Sequence, residues 1–229
     1  MPEINLSKAS VRDLNAALHA LSTDSNETLW IVKNPGGKHA IAAGLDAPVT
    51  VEVEGPVGYY CAGMNKQGTV VVHGNAGTGV AENMMSGEVR VKGDASQSAG
   101  ATGRGGLLVI EGNASARCGI SMKGIDIVVK GEIGAMSAFM AQAGNLVVLG
   151  SAGENLGDSI YEARLFVRGP VKSLGADCIQ KDLTPDDREI LKSVLSRAGI
   201  NGEAKIEDFR LYGSARTLYH FHVDNAGAY

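Results

Sequence analysis

The stretch GNAGTGVAENMMSGEVRVKGDASQSAGATGRGGLLVIEGNASARCGISMKGIDIVVKG, residues 74–131, decides the fold because it repeats one pattern. Gly74, Gly93, Gly112 and Gly131 stand 19 residues apart; the series runs on to Gly150 and Gly169, and back to Gly55 and Gly36. Two and four positions before each glycine comes an aliphatic pair: Val51/Val53, Val70/Val72, Val89/Val91, Leu108/Ile110, Ile127/Val129, Leu146/Val148 and Leu165/Val167. Alternate residues of a strand share a face, so each pair points one way. The residue before each glycine (Glu54, His73, Lys92, Glu111, Lys130 and Arg168, with Leu149 the exception) points the other. Twelve residues before each glycine the side chain is tiny: Ala43, Ala62, Ala81, Gly100, Gly119, Ala138 and Gly157. Six before it, Gly68, Gly87, Gly106 and Gly144 open the strand as turn residues, with Val49, Ile125 and Ala163 as departures.

A unit this short cannot bury its apolar pair alone, whereas stacked copies bury one continuous column. The sequence therefore predicts an all-β fold, a single-stranded parallel β-helix of about seven 19-residue coils over residues 31–180. Gly55, Gly74, Gly93, Gly112, Gly131, Gly150 and Gly169 are its structural turn glycines. With parallel strands about 4.8 Å apart, the rod is roughly 30–35 Å long. This accounts for 31 glycines in 229 residues, about double ordinary usage, without a low-complexity tract.

The flanks read differently. Residues 1–30 form an N-terminal capping segment: Ser10 and Asp13 make a capping box ahead of Val11, Leu14, Ala17, Leu18 and Leu21 at helical spacing. Residues 181–229 hold a second helix and an extended tail. Thr184-Pro185-Asp186-Asp187 starts that helix, Ile190, Leu191, Val194 and Leu195 give its apolar face, and Gly199 stops it. Solenoid ends expose unpaired edges, so capping helices at both termini are expected.

Composition excludes several classes. A net charge of −4 with scattered Lys and Arg argues against a nucleic-acid binder. No apolar run is long enough to span a bilayer, and the start MPEINLSKASVRDL lacks the order of a secretory signal, so no membrane association and a cytoplasmic address are expected. Cys61, Cys118 and Cys178 are too sparse for a disulfide framework, and Cys61 and Cys118 share a column three coils apart, about 14 Å, so both read as packing residues. GNAGTG, GATGRGG and GSAGENLG match no phosphate-loop motif; their register with the coils explains them as corners. His220 and His222 would share a strand face beside Asp224, but no third metal ligand is evident, and His39 and His73 stand alone. The candidate acid–base groups His73, Glu111, His220 and His222 fall in different columns or outside the coils. Asp46, Asp94, Asp126 and Asp158 do not line up as a polysaccharide-cleaving groove would need. An independent acyltransferase on a left-handed solenoid would have coils built of six-residue rungs, which the 19-residue frame does not fit.

One column points to an interface. Between the inward pairs sit Glu52, Val71, Arg90, Val109, Val128, Val147 and Phe166, facing outward. Val109, Val128, Val147 and Phe166 form an outer apolar stripe that needs a cover, either one of the chain's own helices or a partner protein. Met84, Met85, Met122, Lys66, Arg104 and Lys123 are further surface contact candidates.

The coils with G-[ND]-A at the corner resemble the GXGXG domain of the glutamate synthase large chain, to which a β-helix subunit of formylmethanofuran dehydrogenases is similar; the resemblance covers residues 30–180. The helix LSKASVRDLNAALHAL, the helix TPDDREILKSVLSRAGI and the tail FRLYGSARTLYHFHVDNAGAY are similar to the stand-alone β-helix subunit of the N-methylglutamate synthase group, or methylamine–glutamate N-methyltransferase. The resemblance implies a right-handed β-helix within a hetero-oligomer. Its partners would be a class-II glutamine-amidotransferase-like subunit and a glutamate-synthase-like subunit carrying FMN and an iron–sulfur cluster. The group's reaction converts methylamine and L-glutamate to N-methyl-L-glutamate and ammonia. Pro2 follows Met1 where the amidotransferase would place cysteine, and no cysteine trio or barrel alternation is present. The expectation is a scaffold subunit with no catalytic, cofactor or metal residue of its own. The alternative is the β-helix subunit of another glutamate synthase-type or formylmethanofuran dehydrogenase-type oxidoreductase.

Overall fold

The computed structural model describes residues 1–22, 28–200 and 202–216. Its strands are β1 (Glu3–Asn5), β2 (Leu29–Lys33), β3 (Thr50–Glu54), β4 (Thr69–Val72), β5 (Glu88–Val91), β6 (Leu107–Ile110), β7 (Lys123–Val129), β8 (Ala143–Val148), β9 (Arg164–Val167), β10 (Cys178–Lys181) and β11 (Arg210–Ser214). The helices are α1 (Val11–His19) and α2 (Pro185–Arg197). The strands form one 11-stranded sheet in the order β1-β2-β3-β4-β5-β6-β7-β8-β9-β11-β10, parallel as far as β9.

The chain is a parallel β-solenoid of about seven turns. Val51, Val70, Val89, Leu108, Ile127, Leu146 and Leu165 stack in register across β3 to β9 and are fully buried. A second ladder joins Val57, Ala76, Ala95, Ala114, Ile133, Ala152 and Val171 on the next side of each coil.

The terminal glycines sit where each strand ends and the chain bends, and what demands glycine there is proximity of the neighbouring coil. Of the seven from Gly55 to Gly169, only Gly55 has a left-handed φ, +137°. A Cβ on Gly150 would lie 2.4 Å from the Gly131 carbonyl oxygen, and one on Gly169 would lie 2.4 Å from that of Gly150. The backbones come this close because from Gly93 to Gly169 each glycine N–H donates to the glycine one coil before it, as Gly131 does to Gly112 and Gly150 to Gly131, both at 2.9 Å.

The [ND] of the corner motif has its own partner. The Asn75 side-chain oxygen accepts from the Asp94 N–H (2.9 Å), Asp94 from the Asn113 N–H (2.7 Å), and Asn113 from the Glu132 N–H (2.9 Å). Each side chain crosses space that a Cβ on the next glycine would fill: Asn113 Oδ1 lies 2.2 Å from such a Cβ on Gly131. Glycine and Asx are therefore one device, the first making room for the second. Asn113→Ala is expected to cost about 1 kcal/mol, the usual net value of such a bond, measured as a shift in urea midpoint at unchanged slope.

Gly106 opens β6 at φ +86°, a conformation that favours glycine. Where Ile125 replaces the strand-opening glycine, Gly124 adopts φ +140°, and the β7–β8 register shifts between Lys123 and Asp126.

α1 plugs the N-terminal end. Its capping box is formed by Ser10 and Asp13, and Leu14 and Leu18 are buried in the same core as Ile41 and Leu45. Asn15 Nδ2 donates to the Ala40 carbonyl and His19 Nε2 bonds the Ala43 carbonyl, both at 2.8 Å, tying the helix to the first coil. α2 is capped by Thr184 and Asp187 and lies along the flank of the sheet. Its N-terminus is held by Arg164 of β9 on Asp187 (2.9 Å), and its C-terminal turn by Arg197 on Asp126 (2.6 Å). Arg90 of β5 donates to the Ala198 (2.9 Å) and Arg197 (3.1 Å) carbonyls, partners the last turn of a helix otherwise lacks. Its 13 residues give a length of about 20 Å, matching the four strand spacings, about 19 Å, from β9 to β5. Beyond β9 the parallel winding stops: β11 pairs antiparallel with β9, and β10 antiparallel with β11.

Candidate functional site

The outward stripe lies under α2. Val109, Val128, Val147 and Phe166 are fully buried, packed with Leu107 and Leu149 against Leu191, Val194, Leu195, Ala198 and Ile200, and with Phe209 and Leu211. This is a second core outside the solenoid. Of the two covers the sequence leaves open, the chain's own helix is the one present, so these four residues offer no surface to a partner. The stripe stops at β5 because Arg90 replaces valine where the helix ends.

The thiols are locked. Cys61 and Cys118 are fully buried, and burial pushes both up to about 12. Cys178 is pushed up to about 11, again by burial, with Lys181 opposing. All three are protonated at neutral pH and lack the thiolate that nucleophilic or metal chemistry needs. A disulfide reagent at pH 7.5 is expected to leave the three untouched in the folded chain and to titrate all three in denaturant; rapid labelling of Cys61 without denaturant would show that the second coil opens.

The other titratable candidates do not converge. His39 stacks on Tyr59 at 4.5 Å and accepts the Tyr59 N–H at 2.9 Å. His73 meets Glu52 of the preceding coil at 2.5 Å. Glu111 accepts from Lys92 (2.9 Å) and faces Lys130 (3.4 Å), which hold its carboxyl below the ordinary value. Among the described residues no group of three or more His, Cys, Asp or Glu is placed to hold a metal ion. His220 and His222 lie outside the described residues. Met84 and Met122, candidates for surface contact, are fully buried in the core, while Met85 is exposed. No helix among the described residues is long and apolar enough to cross a membrane.

A concavity that the sequence did not announce lies among the described residues. A cleft of about 450 Å³ lies at the C-terminal end, between the start of β9, the end of β10, the first turn of α2 and the end of β11. Tyr161 and Tyr212 contribute aromatic rings, and Arg164, Lys181, Arg216, Glu162, Asp182 and Asp187 its charges. Arg164 is engaged by Asp187 and Arg216 by Asp177. Burial raises the Asp187 carboxyl, but donation from the Thr184 hydroxyl and N–H and from Arg164 outweighs it and holds the group below its ordinary value. That stabilising contribution is present at neutral pH and is lost as pH falls through the lowered value. The cleft depends on β11 entering between β9 and β10, and its pairing with β9 spans more than forty residues, which no local pattern records.

No protein-family model matches the chain. Over 229 residues, all of both sequences, it is 62% identical to Protein GlxC of Rhizobium meliloti (strain 1021). Among solved structures, a chain of the formyltransferase/hydrolase complex from Methylorubrum extorquens, crystallised with methylofuran, superposes with a TM-score of 0.65 over 86% of this chain and 84% of that one, at 23% identity. That likeness shows a shared fold. The likeness to the Rhizobium protein runs through both flanking helices and every coil, and on it the chain belongs to the GlxC family.

Proposed function

We propose that this chain is the β-helix subunit of a multi-subunit enzyme of the glutamate synthase-like or formylmethanofuran type. The observation that carries the reading is the solenoid itself: the same fold, over 86% of the chain, is a component of a formyltransferase/hydrolase complex. What its own residues supply is a rigid platform, with thiols buried, charges such as Lys92, Glu111 and Lys130 tied in ladders between coils, and one flank braced by α2.

Within that class we assign the chain to an N-methylglutamate synthase, positioning a glutamine-amidotransferase-like subunit against an FMN- and iron–sulfur-bearing synthase subunit. The flanking helices and coil motif support this choice. The enzyme would convert methylamine and L-glutamate to N-methyl-L-glutamate and ammonia, with flavin and cluster in the partner. The second reading, a formyl-transfer complex, is favoured by the superposition.

The test is purification of the assembly from its host through an affinity tag on this chain, identification of the chains retained, and assay with methylamine and L-glutamate. Amidotransferase-like and flavin-bearing partners with N-methyl-L-glutamate formation are expected. Retained chains without flavin, active in formyl transfer, would replace the finer assignment; a chain that purifies alone would remove the subunit reading.

A further inference from the structure

Away from α2, the chain after each turn forms another hydrogen-bonded ladder. Lys66 N–H donates to the Leu45 carbonyl, Met85 to Asn65, Arg104 to Met84, Lys123 to Gly103, Gln142 to Met122 and Tyr161 to Ala141, at 2.7–2.9 Å. Lys66, Met85, Arg104, Lys123, Gln142 and Tyr161 therefore stack one per coil, and all six are exposed. Strand spacing puts successive members about 4.8 Å apart at the backbone.

In several other columns stacking joins opposite charges from adjacent coils: Lys33 with Glu3, Glu52 with His73, Lys92 with Glu111 and then Lys130. Lys66 likewise has Asp46 at 2.6 Å. Arg104 and Lys123 are neighbouring cations, and neither makes an ion pair among the described residues. Residues 100–107, 119–125 and 138–144, the matching segments of the three coils that carry Arg104, Lys123 and Gln142, contain no carboxylate, in a chain whose net charge is −4; the coils at the two edges carry Glu82, near Met85, and Glu162, next to Tyr161. Like charges directly opposite on a sheet destabilise it. Large apolar side chains flank them: Met85 at 42%, Met140 at 38% and Tyr161 at 44% exposure. Arginine, methionine and tyrosine around a cationic centre make the composition of a protein-docking patch, and the overall negative charge does not suit a nucleic acid.

The geometry points to this face as a docking surface for a partner subunit that presents an acidic segment, its carboxylates seated between Arg104 and Lys123 and its apolar side chains on Met85, Met140 and Tyr161. The inference rests on the subunit reading above. It leaves the α2 flank as internal structure and gives the rod a distinct outer side.

The test uses the assembly purified from its host. Arg104→Glu/Lys123→Glu is expected to lower retention of the partner about ten-fold or more, with the thermal midpoint of the chain unchanged, while Arg104→Lys keeps the partner. In the wild-type assembly a zero-length carbodiimide cross-linker is expected to join Lys123 Nζ to a partner aspartate or glutamate. Wild-type retention by the double reversal, or cross-links that avoid Lys123, would overturn the surface while leaving the subunit reading intact. So would bound material that is nucleic acid and is released by nuclease. A wild-type chain that retains no partner would instead remove the subunit reading and this surface with it.

Discussion

Val128→Asp is expected to unseat α2. Val128 is fully buried between β7 and the helix, and Arg197, the nearby cation, is already held by Asp126. A carboxylate there loses hydration and gains no partner, a cost of about 3–5 kcal/mol. Val128→Ala removes packing only and is expected to cost about 2 kcal/mol. Urea denaturation followed by far-ultraviolet circular dichroism separates them: the alanine variant keeps one transition at a lower midpoint, and the aspartate variant loses helical signal first. An aspartate variant within about 1 kcal/mol of wild type would mean that the helix does not sit on the stripe.

Gly150→Ala is expected to be at least as damaging, for a different reason. Its φ is unexceptional, so backbone conformation is not at issue. The added methyl would meet three backbone atoms of the coil before it: Gly131 O at 2.4 Å, Gly131 C at 2.6 Å and Glu132 N at 3.0 Å. No side chain can move aside, so two coils must part and the Gly150–Gly131 hydrogen bond lengthens. The expected loss is about 3 kcal/mol or more. Gly199→Ala is the control, because its φ is +80° and nothing lies within 4 Å of its Cβ position. It tests backbone strain alone, about 1 kcal/mol. If the two cost the same, inter-coil proximity is not what selects glycine at the corner.

The repeat was legible because each coil meets its neighbour through the same positions, so contact geometry is written into the sequence at a fixed interval. Both helix starts were legible for a local reason, since Ser10–Asp13 and Thr184–Asp187 are each complete within one turn. The need for a cover over Val109, Val128, Val147 and Phe166 was equally visible. Its identity was not, because α2 reaches the stripe through ion pairs such as Arg197–Asp126, 71 positions apart. β11 was hidden for another reason. Leu211 faces the second core and Tyr212 the first, so both faces of that strand are buried and no polar alternation marks it. Met84 and Met122 misled because their inward column also holds Asn65, Gly103 and Ala141, a mixture with no hydrophobic signature. Asn65 is accommodated there by donating Nδ2 to the Gly68 carbonyl at 2.8 Å.

The seat of α2 changes how the rod loses its order. A solenoid whose turns touch only their neighbours can fray from an end one lap at a time, each lap giving way independently. A brace reaching from β9 to Arg90 crosses five strands, and releasing any of them first requires the brace to lift from all. The second half of the rod is therefore expected to unfold as a single block, while in the first half, where α1 plugs the tip, laps can give way separately only after that plug is lost.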